Sequence, residues 1–139
     1  MRITIYCVFL LALASCSVKP EPLNYGKDAC HACKMTLVDK RFGGEILTKK
    51  GKIYKFDDVN CLVGFYKSGF EPTNNVLSIL FVDFQNENTL IDATTSNFLV
   101  SDNLRTPMGS GIAVFSNSGR QPSEPEGKVE MWDEILKRF

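Results

Sequence analysis

The sequence is poor in the groups on which most enzymes and nucleic-acid-binding proteins depend. Its 139 residues carry 16 basic and 16 acidic side chains, so the formal net charge is zero. A nucleic-acid partner is not expected, because proteins that hold one usually display a basic face or a high pI. One histidine and no serine nucleophile motif leave no set of nucleophile, base and orienting group. The sequence therefore predicts a binding protein and not an enzyme.

The N-terminal apolar run, residues 3–14, is too short to span a bilayer with the usual margin. It follows one positive charge, Arg2, and ends in small residues, which is typical of a secretory signal. Cys16 comes directly after Leu-Ala-Ser, a pattern that resembles a bacterial lipobox. The resemblance implies that residues 1–15 are a lipoprotein signal peptide and that Cys16 is lipidated. We therefore expect a periplasm-facing lipoprotein, anchored to the outer or inner membrane of the cell envelope.

The expected mature chain has an odd number of free cysteines once the lipidated Cys16 is set aside. A polar stretch with two prolines, residues 16–28, predicts a flexible tether, and residues 29–139 predict one small domain. Cys30, Cys33 and Cys61 lie in that domain. Three thiols cannot all pair in disulfides, so at least one is either inert in the core or available for chemistry.

The hydrophobic pattern predicts an α+β fold with antiparallel strands, built from two ββα-type halves. In the first half, two short strand-like runs flank a Lys50-Gly51 turn, and Asp57 or Asp58 offers the N-cap of an amphipathic helix that ends at Gly69. Further strands are predicted over 76–84, 89–101 and 112–116. The second half ends in a capping box at Ser123 and a helical stripe, which consists of Val129, Trp132, Ile135, Leu136 and Phe139.

The segment from Cys30 to Met35 reads C-H-x-C-x-M and is open to three interpretations. A Cys30–Cys33 pair could serve an envelope thiol–disulfide oxidoreductase, although no thioredoxin-like β-α-β pattern precedes it. The pair could also be half of a zinc site, but the sequence holds no second Cys-x-x-Cys or His-x-x-His. Thiolate and thioether ligands together favour Cu(I).

The spacing adds a geometric argument for Cu(I). Alternate residues of an extended segment point to the same side, so His31, Cys33 and Met35 would present imidazole, thiolate and thioether on one face. Met108, in a Pro-Met-Gly turn of the second half, could add another thioether. The alternative is that both methionines are structural side chains packed in the hydrophobic core.

These residues together resemble the NosL family, the accessory lipoproteins of nitrous oxide reductase. The matching features are the lipobox, Cys-x-x-Cys-x-Met followed by Phe-Asp-Asp before a helix, and the late Thr-Pro-Met-Gly. The resemblance covers about residues 13–136. It implies a copper-binding lipoprotein that delivers Cu(I) to nitrous oxide reductase or its maturation machinery.

The resemblance also implies a ligand set. Cys33 and Met35 match the family's Cys-x-Met and Met108 matches the late Met-Gly, while His31 and Cys30 compete as further ligands because members show either pattern. Lys34 stands where many members have glycine.

Three residues near the motif are expected to act mainly in the fold. Asp57 and Asp58 are hard carboxylates that Cu(I) does not favour, so we expect one to cap the helix and the other to orient a nearby loop. Cys61 is either a buried structural thiol or an auxiliary ligand.

Overall fold

The structure is a computed structural model that describes residues 18–118 and 125–139. The predicted signal peptide, the lipidation site Cys16 and the capping residue Ser123 lie outside the described residues. Neither helix in these two ranges has the length and apolar character that crossing a membrane requires.

The first half of the chain forms a four-stranded antiparallel sheet in the order β2-β1-β3-β4. Gly51 makes the β1–β2 turn possible, because its φ of 84° lies in the left-handed region that favours glycine. Gly44 allows β1 to lie close both to β3 and to helix α1, since a Cβ there would lie 2.4 Å from the Leu80 carbonyl oxygen and 3.0 Å from the Leu62 side chain. The elements are β1 (Gly44–Thr48), β2 (Ile53–Phe56), α1 (Val59–Lys67), β3 (Val76–Asp83) and β4 (Asn86–Asp92).

The second half forms a three-stranded antiparallel sheet in the order β6-β5-β7, followed by helix α2. Single turns of 3₁₀ helix, Thr73–Asn75 and Ala93–Thr95, precede β3 and β5. The remaining elements are β5 (Ser96–Val100), β6 (Ile112–Ser116), β7 (Lys128–Glu130) and α2 (Trp132–Arg138).

The predicted α+β fold with antiparallel strands is confirmed, with one difference in the second half. There, β6 and β7 flank β5 and do not pair with each other, whereas β1 and β2 form a hairpin. Val129, assigned to the helical stripe from the sequence, lies in β7. Periodicity alone could not separate the end of a short strand from the start of the following helix.

Aromatic side chains join the two halves into one core. Phe81 of β3 meets Phe98 of β5 edge to face with 5.5 Å between ring centroids, and Trp132 of α2 stacks on Phe98 at 5.7 Å. Phe81 and Phe98 are fully buried. Each such pair adds about 0.5–1.5 kcal/mol beyond the burial of its area. The two sheets are therefore fixed relative to each other through their apolar faces.

The part of the chain that packs against the core begins earlier than the sequence predicts. Leu23 is 5% exposed, the Tyr25 hydroxyl donates to the Phe42 carbonyl oxygen at 2.8 Å, and Lys55 pairs with Asp28 at 2.8 Å. Leu23, Tyr25 and Asp28 belong to the segment 16–28, which its prolines and charges predict to be a tether. Their contacts attach the second part of that segment to the folded domain.

The side chain of Asp58 connects helix α1 to the loop before β6. Its carboxylate caps the helix by accepting from the Val59 amide at 2.7 Å. It also accepts from the Thr106 hydroxyl at 2.7 Å, the Met108 amide at 2.8 Å, and the amide and hydroxyl of Ser110. One aspartate therefore performs both of the structural roles that the sequence divides between two.

We expect Asp58→Asn to lower the free energy of unfolding by about 2–4 kcal/mol, because the amide group replaces an acceptor that several buried donors share. Urea denaturation followed by circular dichroism measures the change. Asp92→Asn is the matched control, since Asp92 caps a single 3₁₀ turn at the protein surface. The control should lose less than about 1 kcal/mol. Equal losses in the two variants would contradict the special role of Asp58.

Candidate metal centre

The Cys-x-x-Cys segment is a tight turn. The Cys30 amide donates to the Met35 carbonyl oxygen at 2.8 Å, and the Lys34 amide donates to the Cys30 carbonyl oxygen at 2.9 Å. Lys34 has a φ of 66°, a left-handed conformation that is uncommon outside glycine. The expectation that residues 31, 33 and 35 share one face of an extended segment is therefore wrong, because the chain reverses direction between them.

This turn and the start of helix α1 bring four potential metal ligands together. The Sγ atoms of Cys30, Cys33 and Cys61 and a carboxylate oxygen of Asp57 all lie within 4.8 Å of one another. We call these residues the Cys₃Asp cluster. Cys30 and Asp57 are 1% and 4% exposed, whereas Cys33 and Cys61 are half-buried. The cluster therefore has a closed inner side and an accessible outer side.

Each element contributes two members of the Cys₃Asp cluster. The turn supplies the two cysteines of the Cys-x-x-Cys motif. The junction of β2 and α1 supplies Asp57, which precedes the N-cap, and Cys61, which lies in the first turn of the helix. Negative charge is favoured at this place, because a helix N-terminus carries a partial positive charge.

Hydrogen bonds make Cys30 the most acidic thiol of the cluster. Its pKa falls to about 6, chiefly because the Cys61 thiol donates a hydrogen bond to it, with the amides of Cys33 and Asp57 as further donors. As the donor of that bond, Cys61 has a raised pKa, and burial adds to the effect. Burial also raises the pKa of Cys33, while the Met35 amide donates to its sulfur. The cluster thus contains a thiolate whose charge is held by thiol and amide donors.

The two oxygens of the Asp57 carboxylate have different surroundings. Its Oδ2 lies 3.5 Å from the Cys33 sulfur. Its Oδ1 is buried and has no hydrogen-bond partner within residues 18–118 and 125–139. Most buried polar atoms are paired, so the unpaired carboxylate oxygen beside three sulfurs is available to a ligand.

His31 lies apart from the Cys₃Asp cluster, among aromatic rings. Its ring centroid is 4.8 Å from that of Tyr54, 5.2 Å from that of Phe65 and 5.9 Å from that of Phe70. Burial, with a smaller effect of Lys34, lowers its pKa, so the imidazole is kept neutral. A neutral imidazole can bind a metal, but this one packs against carbon.

The two candidate methionines are exposed near the cluster. Met35 is 55% exposed and ends the cysteine turn. Met108 is 37% exposed. Its carbonyl oxygen accepts a hydrogen bond at 2.9 Å from the side chain of Asn60, the residue that precedes Cys61. Methionines packed in the core would be buried, so the exposure of these two argues against a purely structural role.

The sequence predicts mainly structural roles for Asp57 and Cys61, because a carboxylate is hard and Cys61 lies beside the apolar stripe of the helix. The structure brings both side chains within 4.8 Å of the sulfurs of Cys30 and Cys33. Their spacing of four residues across a helix start was the available signal, since it allows both side chains to point toward the same neighbour.

Comparisons with known proteins agree with this architecture. No curated protein matches the chain. Among solved structures, the crystal structure of the copper chaperone NosL from Shewanella denitrificans matches with a TM-score of 0.65 and 21% sequence identity. The match covers 88% of this chain and 99% of that one, and it shows a common fold. The NosL family model matches residues 24–137, and the chain therefore belongs to the NosL family.

Proposed function

We propose that this protein is a Cu(I)-binding metallochaperone that takes up the metal at the outer side of the Cys₃Asp cluster. The observation that carries the proposal is the meeting of three thiols within 4.8 Å, one of them with a pKa lowered to about 6. Thiolates select soft monovalent copper, and two or three of them suffice to hold it. The similar protein from Shewanella denitrificans is described as a copper chaperone, which supports the same chemistry.

The exposed methionines favour Cu(I) over the other metals that a site built from thiols alone could bind. A thioether is a weak, soft ligand that suits Cu(I) and exchanges readily. Met35 follows half-buried Cys33 by two residues, and hydrogen bonds to Asn60 and Asp58 hold the backbone of Met108 at the start of α1. In the proposed mechanism, the thiols hold the metal, a thioether occupies an outer position, and a ligand of the acceptor replaces that thioether. The metal passes over with no change of oxidation state, so the protein acts as a carrier and not as an enzyme.

The proposed ligands therefore differ in their expected contributions. Cys33 lies in the cysteine turn and is half-buried, so a bound metal and an acceptor could both reach it. We therefore expect Cys33 to contribute most to Cu(I) affinity. Met35 and Met108 contribute less, and Cys30 supplies the inner thiolate. His31 remains a candidate only if its imidazole leaves the aromatic rings around it.

Titration of the reduced chain with Cu(I), in competition with a chromophoric Cu(I) chelator, tests the ligand set. We expect Cys33→Ala to weaken Cu(I) binding by at least about a hundredfold, because a thiolate ligand is lost. Met35→Leu and Met108→Leu should each weaken it by about three- to thirtyfold, because a thioether is lost at constant volume.

Met131→Leu is the matched control for these variants. Met131 is also exposed, but it lies next to α2, outside the cluster. Its replacement should leave the affinity unchanged. Wild-type affinity in both Cys33→Ala and Met35→Leu would rule out the proposed site.

We further propose that the chain is a lipoprotein, attached through Cys16 to a membrane of the cell envelope and facing the periplasm. The lipobox-like sequence supports this proposal. In cell fractionation, we expect the wild-type chain in the membrane fraction and Cys16→Ser in the soluble or unprocessed form, because the acyl chains on Cys16 are the proposed anchor. Labelling with a radioactive fatty acid should be lost in the same variant. Membrane-bound, labelled Cys16→Ser would contradict the assignment.

The proposed acceptor is nitrous oxide reductase or its maturation machinery, as the family resemblance implies. In a strain that lacks this gene, the reductase should contain less copper and should consume nitrous oxide more slowly. The wild-type gene should restore both, whereas Cys33→Ala should restore neither and Met131→Leu should restore both. Normal copper content in the deletion strain would show that the acceptor is a different protein.

A further inference from the structure

We propose that the folded domain makes its own contact with the membrane, through a basic and aromatic face that binds anionic phospholipid headgroups. We call this surface the Phe70 face, and it consists of the exposed residues Lys49, Lys50, Lys52 and Phe70. The inference rests on the proposed lipid anchor at Cys16, which brings the domain to a membrane surface. It goes beyond that anchor, because it says which side of the domain lies on the lipid.

The two halves of the chain carry opposite charges, although the whole chain is neutral. Residues 18–75 hold 10 basic and 7 acidic side chains, whereas residues 76–139 hold 5 basic and 9 acidic side chains. In the first range, nine basic side chains are exposed, but only one acidic side chain, that of Glu21. Asp28 and Asp39 are half-buried and paired with basic groups, and the other four acids are buried. The surface of the first half is therefore basic and favours an anionic partner.

Three of the exposed lysines lie at the tip of the β1–β2 hairpin. Lys49 and Lys50 precede the turn glycine, and Lys52 follows it. The tip is attached to the loop between α1 and β3, because the Lys49 amide donates to the Asn75 carbonyl oxygen at 2.8 Å and its ammonium group donates to the Asn74 carbonyl oxygen at 2.7 Å. The hairpin tip and this loop therefore form one continuous surface.

The same loop presents an aromatic ring to solvent. Helix α1 ends at Lys67, and Gly69 has a φ of 72°, the left-handed conformation that commonly turns the chain away from a helix end. Phe70 follows this glycine and is 66% exposed. Its ring centroid lies 5.3 Å from that of Phe65 and 6.2 Å from that of Tyr54. Packing therefore supports the ring on one side and leaves its other side open.

Buried Glu71 fixes the loop relative to the hairpin. Its carboxylate accepts hydrogen bonds from the Tyr54 hydroxyl at 2.9 Å and from the side-chain amide of Asn75. Tyr54 lies in β2, so these bonds join the loop to the strand that leaves the hairpin tip. The lysines and the Phe70 ring thus keep a fixed arrangement, which lowers the ordering cost of binding.

The composition of the Phe70 face suits a membrane–water interface. Lysines near a membrane surface are attracted by anionic headgroups, and aromatic rings are enriched at the headgroup level. An acidic protein surface would satisfy the lysines, but it would need an apolar pocket for the Phe70 ring as well. A lipid surface offers both environments at every point.

The short tether also favours a membrane as the occupant. The Glu21 amide donates to the Glu45 carboxylate at 3.2 Å, and the Glu21 carboxylate lies 3.5 Å from the Lys55 ammonium group. Glu21 follows Cys16 by five residues, so the acylated residue would lie within about 18 Å of it. Lys52 precedes Lys55 by three residues, or about 10 Å along an extended chain. The proposed anchor therefore keeps the hairpin tip close to lipid, at a high effective concentration.

The test uses the full chain, purified from membranes and reconstituted into vesicles whose brominated acyl chains quench tryptophan. One set of vesicles is phosphatidylcholine alone, and in the other about a third of the lipid is anionic phosphatidylglycerol. Phe70→Trp places a reporter in the Phe70 face. The single natural tryptophan, Trp132, is 8% exposed, and the parent chain measures its background.

We expect the reporter emission of Phe70→Trp to be at least about twofold lower in the anionic vesicles than in phosphatidylcholine. Salt at about 1 M should remove the difference, because it screens charges beyond about 3 Å. Met131→Trp is the matched control, since Met131 is exposed but lies in the second half, next to α2. Its emission should be the same in both kinds of vesicle.

A second pair of variants tests the lysines in the Phe70→Trp background. Lys50→Gln together with Lys52→Gln should remove most of the difference between the two kinds of vesicle, because two of the charges that attract the headgroups are lost. Lys128→Gln together with Lys137→Gln removes the same charge from exposed positions in the second half. That pair should leave the difference unchanged.

The Phe70 face and the lipid anchor fail in different ways. Flotation of the chain with both kinds of vesicle reports the anchor, whereas the difference in quenching reports the face. Flotation with both, but equal emission of Phe70→Trp in the two, would overturn the face and leave the anchor standing, with an acidic protein as the next candidate. Flotation with the anionic vesicles alone, together with quenching that depends on Lys50 and Lys52, would support the face and overturn the anchor.

Discussion

The hydrogen bonds of the Asp58 carboxylate are the constraint on which the rest of the site depends. They begin helix α1 at Val59 and hold the loop that carries Met108 against that helix start. The residue before Asp58 is a member of the Cys₃Asp cluster, and the first turn after it carries another. A buried aspartate with several donors is rigid, so it fixes the neighbouring side chains that could hold a metal. Preorganisation of this kind reduces the ordering cost of binding.

The cysteine turn is the second part of this arrangement, and it is fixed to strand β2, which leads into helix α1. The His31 amide donates to the Lys55 carbonyl oxygen at 2.7 Å, which attaches the turn to strand β2. Aromatic packing around the His31 ring strengthens the same attachment. The histidine that the motif offers as a ligand thus has a clear structural use. Its place in the fold explains how the two neighbouring cysteines reach a strand–helix junction that lies more than twenty residues away.

Much of the fold follows from local patterns in the sequence, whereas the site depends on contacts between distant segments. The β1–β2 hairpin, the helix after Asp58 and strand β6 were all predictable, because turn residues, caps and apolar periodicity are local signals. Strand β7 was missed because three residues are too few to establish a period. The meeting of Asp57 and Cys61 with the cysteine turn could not be predicted from local patterns, because the packing of that turn against the start of α1 is a contact between distant segments.

The left-handed conformation of Lys34 has a consequence for the surface beside the cysteines. Glycine would adopt this φ without strain, whereas lysine bears a cost of about 1 kcal/mol. The lysine places an exposed positive charge on the cysteine turn. A charge of this sign repels cations and attracts acidic surfaces. The turn that brings Cys30 and Cys33 together therefore also gives the surface next to them a preference for negatively charged groups.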